Sequence, residues 1–574
     1  MMDSQAKRKH GRTNEENRAP QQSSKGPKRS RFEPLEAASS PVVSASGGQS
    51  NADITQAAEK LLKVWDDTEV EPLDEMGVKK LILAFEKKML ANQEVRIKYA
   101  DQPEKFMESE IELNVAIQEM HAIATMPHLY YLLVDLNAVE TLLQLLMHDN
   151  SDIAIAVVHL LQELTDVDTL NESEEGASAL IEALLGSQVV SILVQNMERL
   201  DESIKDEADG VHNTLGVVEN ITEFRPEVCD LATSSGLLAW LLKRLKARMP
   251  FDGNKLYSSE ILAILLQNSD DVKKMLGERD GIDILLQQLA TYKRHDPSSQ
   301  DEVEFMENLF NALCASLMFT PNRLKFLKGE GLQLMNLMLR EKKRSRASAL
   351  RVLNFATSGL EGKENCDKLV DIMGLRTIFP LFMKTPAKAK RRGYTAGEHE
   401  EHVCSIVASL LKHCSGPQRQ RVLSKFSEQD YAKVERLMEL HFKYLNKVLA
   451  YDERWQNDPR SSEDLDEEEL YAEKLAAGLF TLQLIDFIVG ELCAGSSQLK
   501  DRIVRILGMR GGSMKTIKNI LREYASNLGG FGGDTESMDS SSDASLLNPL
   551  SESKDELDRI KQDKDRIFAL LDKL

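Results

Sequence analysis

Aromatic residues are scarce in this sequence, and its cysteines are few and widely spaced. Aromatic residues make up 6% of the 574 residues, whereas hydrophobic residues as a whole make up 42%. This balance favours helices that pack on helices over a β-sandwich. The six cysteines, at positions 229, 314, 366, 404, 414 and 493, form no CxxC pair. Their spacing argues against a Cys-rich zinc module and predicts reduced thiols in a reducing compartment.

Long apolar runs are also missing. We find no uninterrupted apolar stretch of about 18 residues, the length that a transmembrane helix requires. The most hydrophobic stretch, 475–495, is interrupted by Gln483, Asp486 and Glu491. The N-terminal sequence has no apolar region of the kind that a secretory signal contains. We therefore expect no membrane association, and we expect the protein to stay in the cytosol or the nucleus.

Positive charge is concentrated at the N-terminus, and the rest of the chain is acidic. The net charge is −20, and residues 1–50 hold nine Lys/Arg and five Asp/Glu, a net of +4, so the remaining residues carry −24. Such a body repels the phosphates of nucleic acid, and we expect no direct nucleic-acid binding. It attracts basic protein segments. The alternative is that the acidity serves solubility alone.

Composition divides the chain into six parts. Residues 1–51 are rich in Ser, Gly, Pro and basic residues and predict a disordered basic tail. Helical periodicity without strand-like alternation follows. The predicted parts are the tail, an N-terminal HEAT-like helical cap at 52–130, an armadillo repeat array at 131–416, a C-terminal helical region at 417–528 with an acidic loop at 457–469, a flexible linker at 529–550 and a C-terminal helix at 551–574.

A short phrase recurs through the array: a small residue, an aliphatic residue and then a Leu-rich helix. It occurs at Ala138, Gly236, Gly281, Gly331 and Gly374, and the last four copies lie 45, 50 and 43 residues apart. A weaker copy near residue 188 fills the longer first interval. Such periods are typical of armadillo and HEAT arrays. We attribute to the small residue a sharp turn before the second helix of each repeat.

These features predict an all-α fold, an armadillo/HEAT-like right-handed superhelical solenoid with a disordered basic N-terminal tail. The third helix of each repeat should line a concave groove. There, amide side chains hold a peptide backbone and carboxylates select Lys or Arg. An ordinary solvated helix edge is the alternative for each residue. The predicted groove residues are Glu163, Asp166, Glu219, Asn220, Glu223, Gln267, Asn268 and Asn354.

Several longer strings resemble a known family. They include PLDEMGVKKLILAFEKK (72–88), ADGVHNTL (208–215), FLKGEGLQLMNLMLREKK (326–343) and RLMELHFKYL (436–445). Together they are similar to the β-catenin-like proteins over roughly 72–527. The resemblance implies an armadillo/HEAT-like fold, nuclear residence and association with spliceosomal proteins of the NineTeen complex, including its Myb-like splicing factor. It also implies recognition of basic nuclear-localisation peptides of partner proteins.

Two further motifs concern transport. Clustered cations in the tail are typical of a nuclear-localisation signal that import receptors bind; they are Lys7, Arg8, Lys9, Lys25, Lys28, Arg29 and Arg31. Leucines at 129–136 match the spacing of an export signal. Burial of these leucines in the repeat core is the alternative that we favour; they are Leu129, Leu132, Leu133 and Leu136.

The remaining motifs give little support for chemistry. Thr385 precedes a proline at the start of a basic loop, 384–397, which makes it a candidate phosphorylation site. His399, His402 and Cys404 lack the spacing of a zinc site, so we predict no metal. We see no nucleotide or other cofactor motif and no catalytic set of residues, so we predict no cofactor and no enzyme activity.

The sequence therefore indicates a nuclear, non-enzymatic protein-binding scaffold associated with the spliceosome. The alternatives are an importin-α-like nuclear transport adaptor and an RNA-binding repeat protein. An adaptor should repeat Trp and Asn along successive third helices, whereas this chain has three tryptophans, Trp65, Trp240 and Trp455, none of them predicted there. The acidic body argues against an RNA reader.

The tail provides a first test. Residues 1–50, fused to a fluorescent reporter, should concentrate the reporter in the nucleus, because import receptors bind clustered cations on flexible segments. Fluorescence microscopy of living cells gives the nuclear-to-cytoplasmic ratio. An even distribution of the reporter, with Lys28 and Arg29 intact, would contradict the prediction and point to import in complex with a partner.

Overall fold

A computed structural model describes residues 74–246, 248–386, 395–456, 467–528 and 550–574. The predicted tail with its localisation cations lies outside the described residues. So do the beginning of the predicted cap and most of the basic loop, the acidic loop and the linker. Every regular element in the described part of the chain is a helix. The predicted all-α class is therefore confirmed.

Two long helices come first, α1 (Glu75–Lys98) and α2 (Pro103–Ala124). Six repeats follow, each with two shorter helices and a longer third one. The first repeat contains α3 (Tyr131–Asp135), α4 (Ala138–Leu145) and α5 (Ser151–Leu164), and the short α6 (Val167–Leu170) leads to the second, which contains α7 (Glu174–Gly186), α8 (Val189–Arg199) and α9 (Lys205–Phe224). The third repeat contains α10 (Leu231–Ser234), α11 (Leu237–Arg244) and α12 (Gly253–Asn268), and the fourth contains α13 (Asp270–Glu278), α14 (Gly281–Leu289) and α15 (Gln300–Ser316). The fifth repeat contains α16 (Thr320–Lys328), α17 (Gly331–Glu341) and α18 (Arg346–Thr357), and the sixth contains α19 (Lys363–Asp371), α20 (Leu375–Met383) and α21 (Ala396–His413).

The C-terminal region contains longer helices. They are α22 (Gly416–Ser427), α23 (Ala432–Gln456), α24 (Glu467–Lys474), α25 (Phe480–Gly495), α26 (Ser497–Met509), α27 (Met514–Asn527) and α28 (Leu550–Lys573). A single π-helical turn, Leu475–Leu479, joins α24 to α25.

The third helices form one continuous row. Neighbours pack in the order α2, α5, α9, α12, α15, α18, α21 and α25. In α5, Asn150 caps the first turn by accepting a hydrogen bond from the backbone N–H of Asp152. The apolar residues of α5 recur on one side of the helix, and all are buried: Ile153, Val157, Leu160, Leu161 and Leu164. One repeat cannot cover that side alone, so the repeats stack.

A residue with left-handed backbone precedes the second helix of every repeat. The six are Asn137, Gln188, Gly236, Asp280, Glu330 and Met373. The positive φ of Gln188 supports the weaker repeat copy expected there. Our explanation of the small residues was wrong in most repeats, because only Gly236 supplies the left-handed turn itself. In four of the other repeats the residue before the small one does so, and in the second repeat Gln188 precedes Val189.

The glycines at 281, 331 and 374 serve close packing instead. A Cβ atom on Gly331 would lie 2.2 Å from the ring of Phe326, which is in the preceding helix. The corresponding distances are 2.5 Å from Gly281 to Leu276 and 2.4 Å from Gly374 to a side-chain atom of its preceding helix. Glycine therefore allows the first and second helices of a repeat to approach each other.

Besides Thr481, the apolar helix α25 carries three longer buried polar side chains, Gln483, Asp486 and Glu491. Within the described chain, one continuous helical stretch, Glu469–Gly495, has the length and composition of a membrane span, and 72% of its most apolar part is buried by the protein. Gln483 donates to the hydroxyl of Tyr471. Asp486 lies 2.6 Å from a ring nitrogen of His441. These polar groups fit a core helix, because each has a protein partner.

The third polar residue of α25, Glu491, connects the C-terminal helix to the array. Glu491 is 2% exposed and accepts hydrogen bonds from Arg419 at 2.6 Å and from Arg566 of α28 at 2.8 Å. Helix α28 also buries the apolar residues Ile567, Leu570 and Leu571. The C-terminal helix therefore docks on the protein, because its apolar stripe and its arginine both find partners there.

The packing role of glycine can be tested at Gly331. Gly331→Ala should destabilise the protein by about 1–3 kcal/mol, because the added methyl group overlaps the Phe326 ring. The control is Gly186→Ala, where a Cβ would meet nothing within 4 Å. The control should be neutral or stabilising by up to about 1 kcal/mol. Thermal unfolding followed by circular dichroism distinguishes the two, and equal melting temperatures would contradict the packing role.

Candidate functional site

The side of the third-helix row that faces away from the core is open to solvent, and we call it the third-helix face. It consists of exposed or half-buried residues that recur every three or four positions along α5, α9, α12 and α15. They are His159, Gln162, Glu163, Asp209, His212, Glu219, Glu223, Tyr257, Glu260, Ile264, Gln267, Glu304, Glu307 and Asn311.

Adjacent helices come close together at the centre of this face. A Cβ atom on Gly216 of α9 would lie 3.2 Å from the amide nitrogen of Gln162 and 3.4 Å from the hydroxyl of Tyr257. The same hydroxyl donates a 2.5 Å hydrogen bond to Glu219. Side chains from α5, α9 and α12 therefore form one continuous surface, in which the orientation of Glu219 is held by a neighbouring helix.

Glu260 of α12 is repelled on this surface by a carboxylate of α9 and by one of α15. Burial, together with the nearby charges of Glu219 and Glu304, raises the pKa of Glu260 to about 7. A cation placed among the three would relieve the repulsion and favour the ionised form of Glu260. The centre of the third-helix face is therefore suited to a Lys or Arg side chain.

Four of the eight predicted groove residues lie on the third-helix face. Glu163 is exposed and lies 2.6 Å from a ring nitrogen of His121 of α2. Glu219 is the carboxylate bonded to Tyr257. Glu223 and Gln267 are exposed on α9 and α12. These four side chains can reach a ligand without disturbing the helices that carry them.

Of the other four predicted residues, Asp166, Asn220 and Asn268 form hydrogen bonds within the protein. Asp166 caps α6 by accepting from the backbone N–H groups of Asp168 and Thr169. Asn220 is buried. The amide of Asn268 donates to the backbone oxygen of Ile264, and that of Asn220 donates to the backbone oxygen of Gln162. Asn354 is half-buried on α18. The prediction was wrong for Asn220 because burial, which depends on the neighbouring helices, removes it from the surface.

Glu260, Glu304 and Tyr257 were not among the predicted groove residues. The predicted residues are polar residues near the ends of third helices, whereas Glu260 lies in the middle of α12. A signal was present: Glu260 directly precedes the apolar string 261–266 and lies at helical spacing from Tyr257 and Gln267, on the side opposite to that string's buried residues. The meeting of Glu260 with Glu219 and Glu304 depends on how three helices pack, which periodicity does not show.

The export-like leucines and the histidine motif both belong to the interior. Leu129, Leu132 and Leu133 are buried, and Leu136 packs against the core; the structure thus places them as core residues. Burial lowers the pKa of His402 to about 4. Cys404 is fully buried. Within the ranges that the structure describes, no three His, Cys, Asp or Glu side chains are placed to hold a metal ion.

Thr385 lies in a polar network rather than in a free loop. Its hydroxyl donates to buried Glu400 at 2.7 Å and accepts from Arg436 at 3.0 Å. Lys443 and Tyr444 of α23 donate to the same carboxylate, at 2.5 and 2.9 Å. Residues 387–394 of the basic loop lie outside the described residues, and the predicted loop ends earlier than expected because α21 begins at Ala396.

Comparison with known proteins places these features in a family. The family model described as "Catenin-beta-like, Arm-motif containing nuclear" matches residues 56–522. The chain is 62% identical over 466 residues to Beta-catenin-like protein 1 of Homo sapiens, covering 80% of this chain and 83% of the relative. It is equally similar to the Bos taurus protein. It is 30% identical over 455 residues to the Schizosaccharomyces pombe homolog, covering 79% and 78% of the two chains.

The raised pKa of Glu260 predicts a pH-dependent stability. Glu260 keeps its proton up to about pH 7 in the folded state, whereas in the unfolded chain it loses the proton near pH 4.5. The stability that the protonated Glu260 contributes to the folded state is therefore complete below pH 4.5 and is lost as the pH rises through about 7. Glu260→Gln should therefore raise the melting temperature at pH 8, by roughly 1–3 °C, and change it little at pH 4.5. Equal effects at both pH values would contradict this assignment.

Proposed function

The chain belongs to the catenin-beta-like, Arm-motif-containing nuclear family, and we propose that it is a non-enzymatic protein-binding scaffold of the spliceosome that acts in pre-mRNA splicing. The family model extends over all six repeats, and the description of the family as nuclear supports residence in the nucleus. The proposed partners are spliceosomal proteins of the NineTeen complex, including its Myb-like splicing factor.

The observation that carries the binding proposal is the position of Glu260 between Glu219 and Glu304. The ionised form of this half-buried carboxylate is disfavoured by burial and by the two neighbouring negative charges. A cation at this point stabilises the ionised form, so binding of a basic side chain here lowers the free energy of the complex. Lys and Arg of a partner's localisation segment supply that cation. The amide side chain of Gln267, which is exposed on the same face, is available to the peptide backbone.

Two further proposals accompany this one, on nuclear import and on phosphorylation. The basic tail binds import receptors, which concentrates the scaffold where its partners are. Phosphorylation of Thr385 would place a negative phosphate against Glu400 and beside Arg436, and thus break the hydrogen bond that now joins Thr385 to Glu400. Mass spectrometry of the protein purified from nuclei would show directly whether Thr385 is modified.

An importin-α-like adaptor remains the alternative function, because it would use the same kind of helix row. Such an adaptor carries tryptophans along its third helices. Trp240 is instead buried in α11, a second helix, and Trp455 belongs to α23. The third helices of the six described repeats contain no tryptophan. We therefore favour the scaffold.

Charge reversal on the third-helix face tests the binding proposal. The double variant Glu219→Lys with Glu223→Lys should weaken binding of the basic localisation segment of the Myb-like splicing factor at least tenfold, or by about 1.4 kcal/mol. Reversal adds repulsion to the loss of the pairs, so the effect should exceed that of neutralising them. Affinity of the unmodified protein should also fall as salt rises, because exposed charges are screened over about 8–10 Å. Calorimetry measures both effects.

A matched control keeps the change in net charge but moves it off the face. Glu182→Lys with Glu198→Lys reverses two exposed carboxylates on α7 and α8, which are first and second helices. This control should bind the segment with nearly unchanged affinity. If both double variants are folded by circular dichroism and bind equally well, the segment uses another surface and the proposal fails.

A further inference from the structure

A cleft of about 620 Å³ opens where the third-helix row meets the C-terminal region. One wall is the first turn of α21, which belongs to the row, and another is α23. The floor is the π-helical turn Leu475–Leu479 between α24 and α25. Its volume is within the range of pockets that enclose large side chains or small ligands.

The backbone of the π-helical turn creates this space. The turn contains Ala476, Ala477 and Gly478 in succession, so no large side chain fills the floor. Gly478 has φ of 132°, and a Cβ there would lie 3.1 Å from the ring of Tyr444. Only glycine suits both the dihedral angle and the close approach. The dihedral angles of Gly478 are not helical, so the chain is kinked at this point between α24 and α25.

The walls combine apolar surface with negative charge. Tyr444, Leu475 and Phe480 supply the apolar part, and Phe480 is 41% exposed although it is aromatic. Glu398 and Glu401 of α21 also line the cleft. Burial raises the pKa of Glu401, and the charge of Glu398 raises it further, so an incoming cation would relieve repulsion here as well.

The positive charge already in the cleft does not satisfy these carboxylates. Lys447 lies over the ring of Tyr444, 4.4 Å from its centroid, and the hydrogen-bonding partner of Glu401 is the neutral hydroxyl of Thr481 at 3.3 Å. Glu398 accepts from the backbone N–H of Thr395, as part of the cap of α21. Both carboxylates therefore retain charge that a basic ligand would complement.

We propose that this cleft binds a partner segment in which one aromatic or branched apolar side chain is flanked by Lys or Arg. The apolar side chain enters the cleft over Ala476 and Gly478 and packs against Tyr444 and Phe480. The flanking cations pair with Glu398 and Glu401. Buried aromatic anchors next to charged rims are the usual source of affinity in such contacts. The inference rests on the proposed function in that the ligand is a basic protein segment, and it adds an apolar requirement at a second position.

The probe is a synthetic, fluorescein-labelled nine-residue peptide with a central Trp, two Lys on each side and Gly/Ser ends, titrated against the full chain by fluorescence anisotropy. Replacing the Trp by Ser should weaken binding at least tenfold, and replacing the four Lys by Gln should do the same. Ala476→Trp, which fills the cleft from an exposed position, should weaken binding of the Trp peptide at least tenfold.

Two further variants distinguish a loss of binding at the cleft from a loss of folding. Ala472→Trp is the control, since Ala472 is equally exposed on α24 but does not line the cleft, and it should leave the affinity unchanged. Glu398→Gln with Glu401→Gln preserves size and the helix cap and should lower affinity several-fold while reducing its dependence on salt. Circular dichroism verifies that each variant is folded.

The outcomes separate this inference from the proposed function. If Ala476→Trp binds the Trp peptide as well as the unmodified chain does, or if the Trp and Ser peptides bind alike, the cleft is not the site and the inference is overturned. If, in addition, the double variant Glu219→Lys with Glu223→Lys abolishes peptide binding, the peptide binds to the third-helix face and the proposed function stands. No measurable binding of the Trp peptide overturns the cleft inference alone, because the proposed function is judged by the splicing-factor segment.

Discussion

The third helices of this protein can bury their apolar sides only against one another. Each carries an apolar stripe too wide for its own repeat to cover, and the row from α2 to α25 covers them all in turn. The turns and glycines between the first and second helices of each repeat make this stacking possible. A left-handed residue such as Glu330 turns the chain before each second helix, and glycines such as Gly331 let that helix approach the one before it.

The same constraint explains the end of the array. Helix α25 continues the row but contains Glu491, and a buried carboxylate without a partner is costly. Arg419 supplies one partner from α22, and Arg566 supplies another from α28, which lies beyond a long segment outside the described residues. The C-terminal helix thus contributes both apolar area and a cation to a core that the preceding helices leave incomplete.

Stacking also leaves one side of each third helix free, and that side carries the functional proposals. The packing of adjacent helices brings together the carboxylates of Glu219, Glu260 and Glu304, whereas those of Glu398 and Glu401 lie one turn apart on α21. Like charges held together by a rigid framework raise the free energy of the unbound protein. A basic ligand removes that penalty, so the two places share one physical basis, and the cleft adds an apolar contact.

The sequence by itself determined the helices and their repeat, because helical periodicity depends on neighbours three or four positions apart along the chain. It also indicated the family, through strings that the comparisons bear out. It did not distinguish Glu219, which is available to a ligand, from its buried neighbour Asn220. That difference, the joining of Glu219 to Tyr257 and the cleft above Gly478 were decided by the tertiary structure alone. The physical reason is that these contacts join residues from different helices, and the packing of helices, rather than local periodicity, determines which side chains meet.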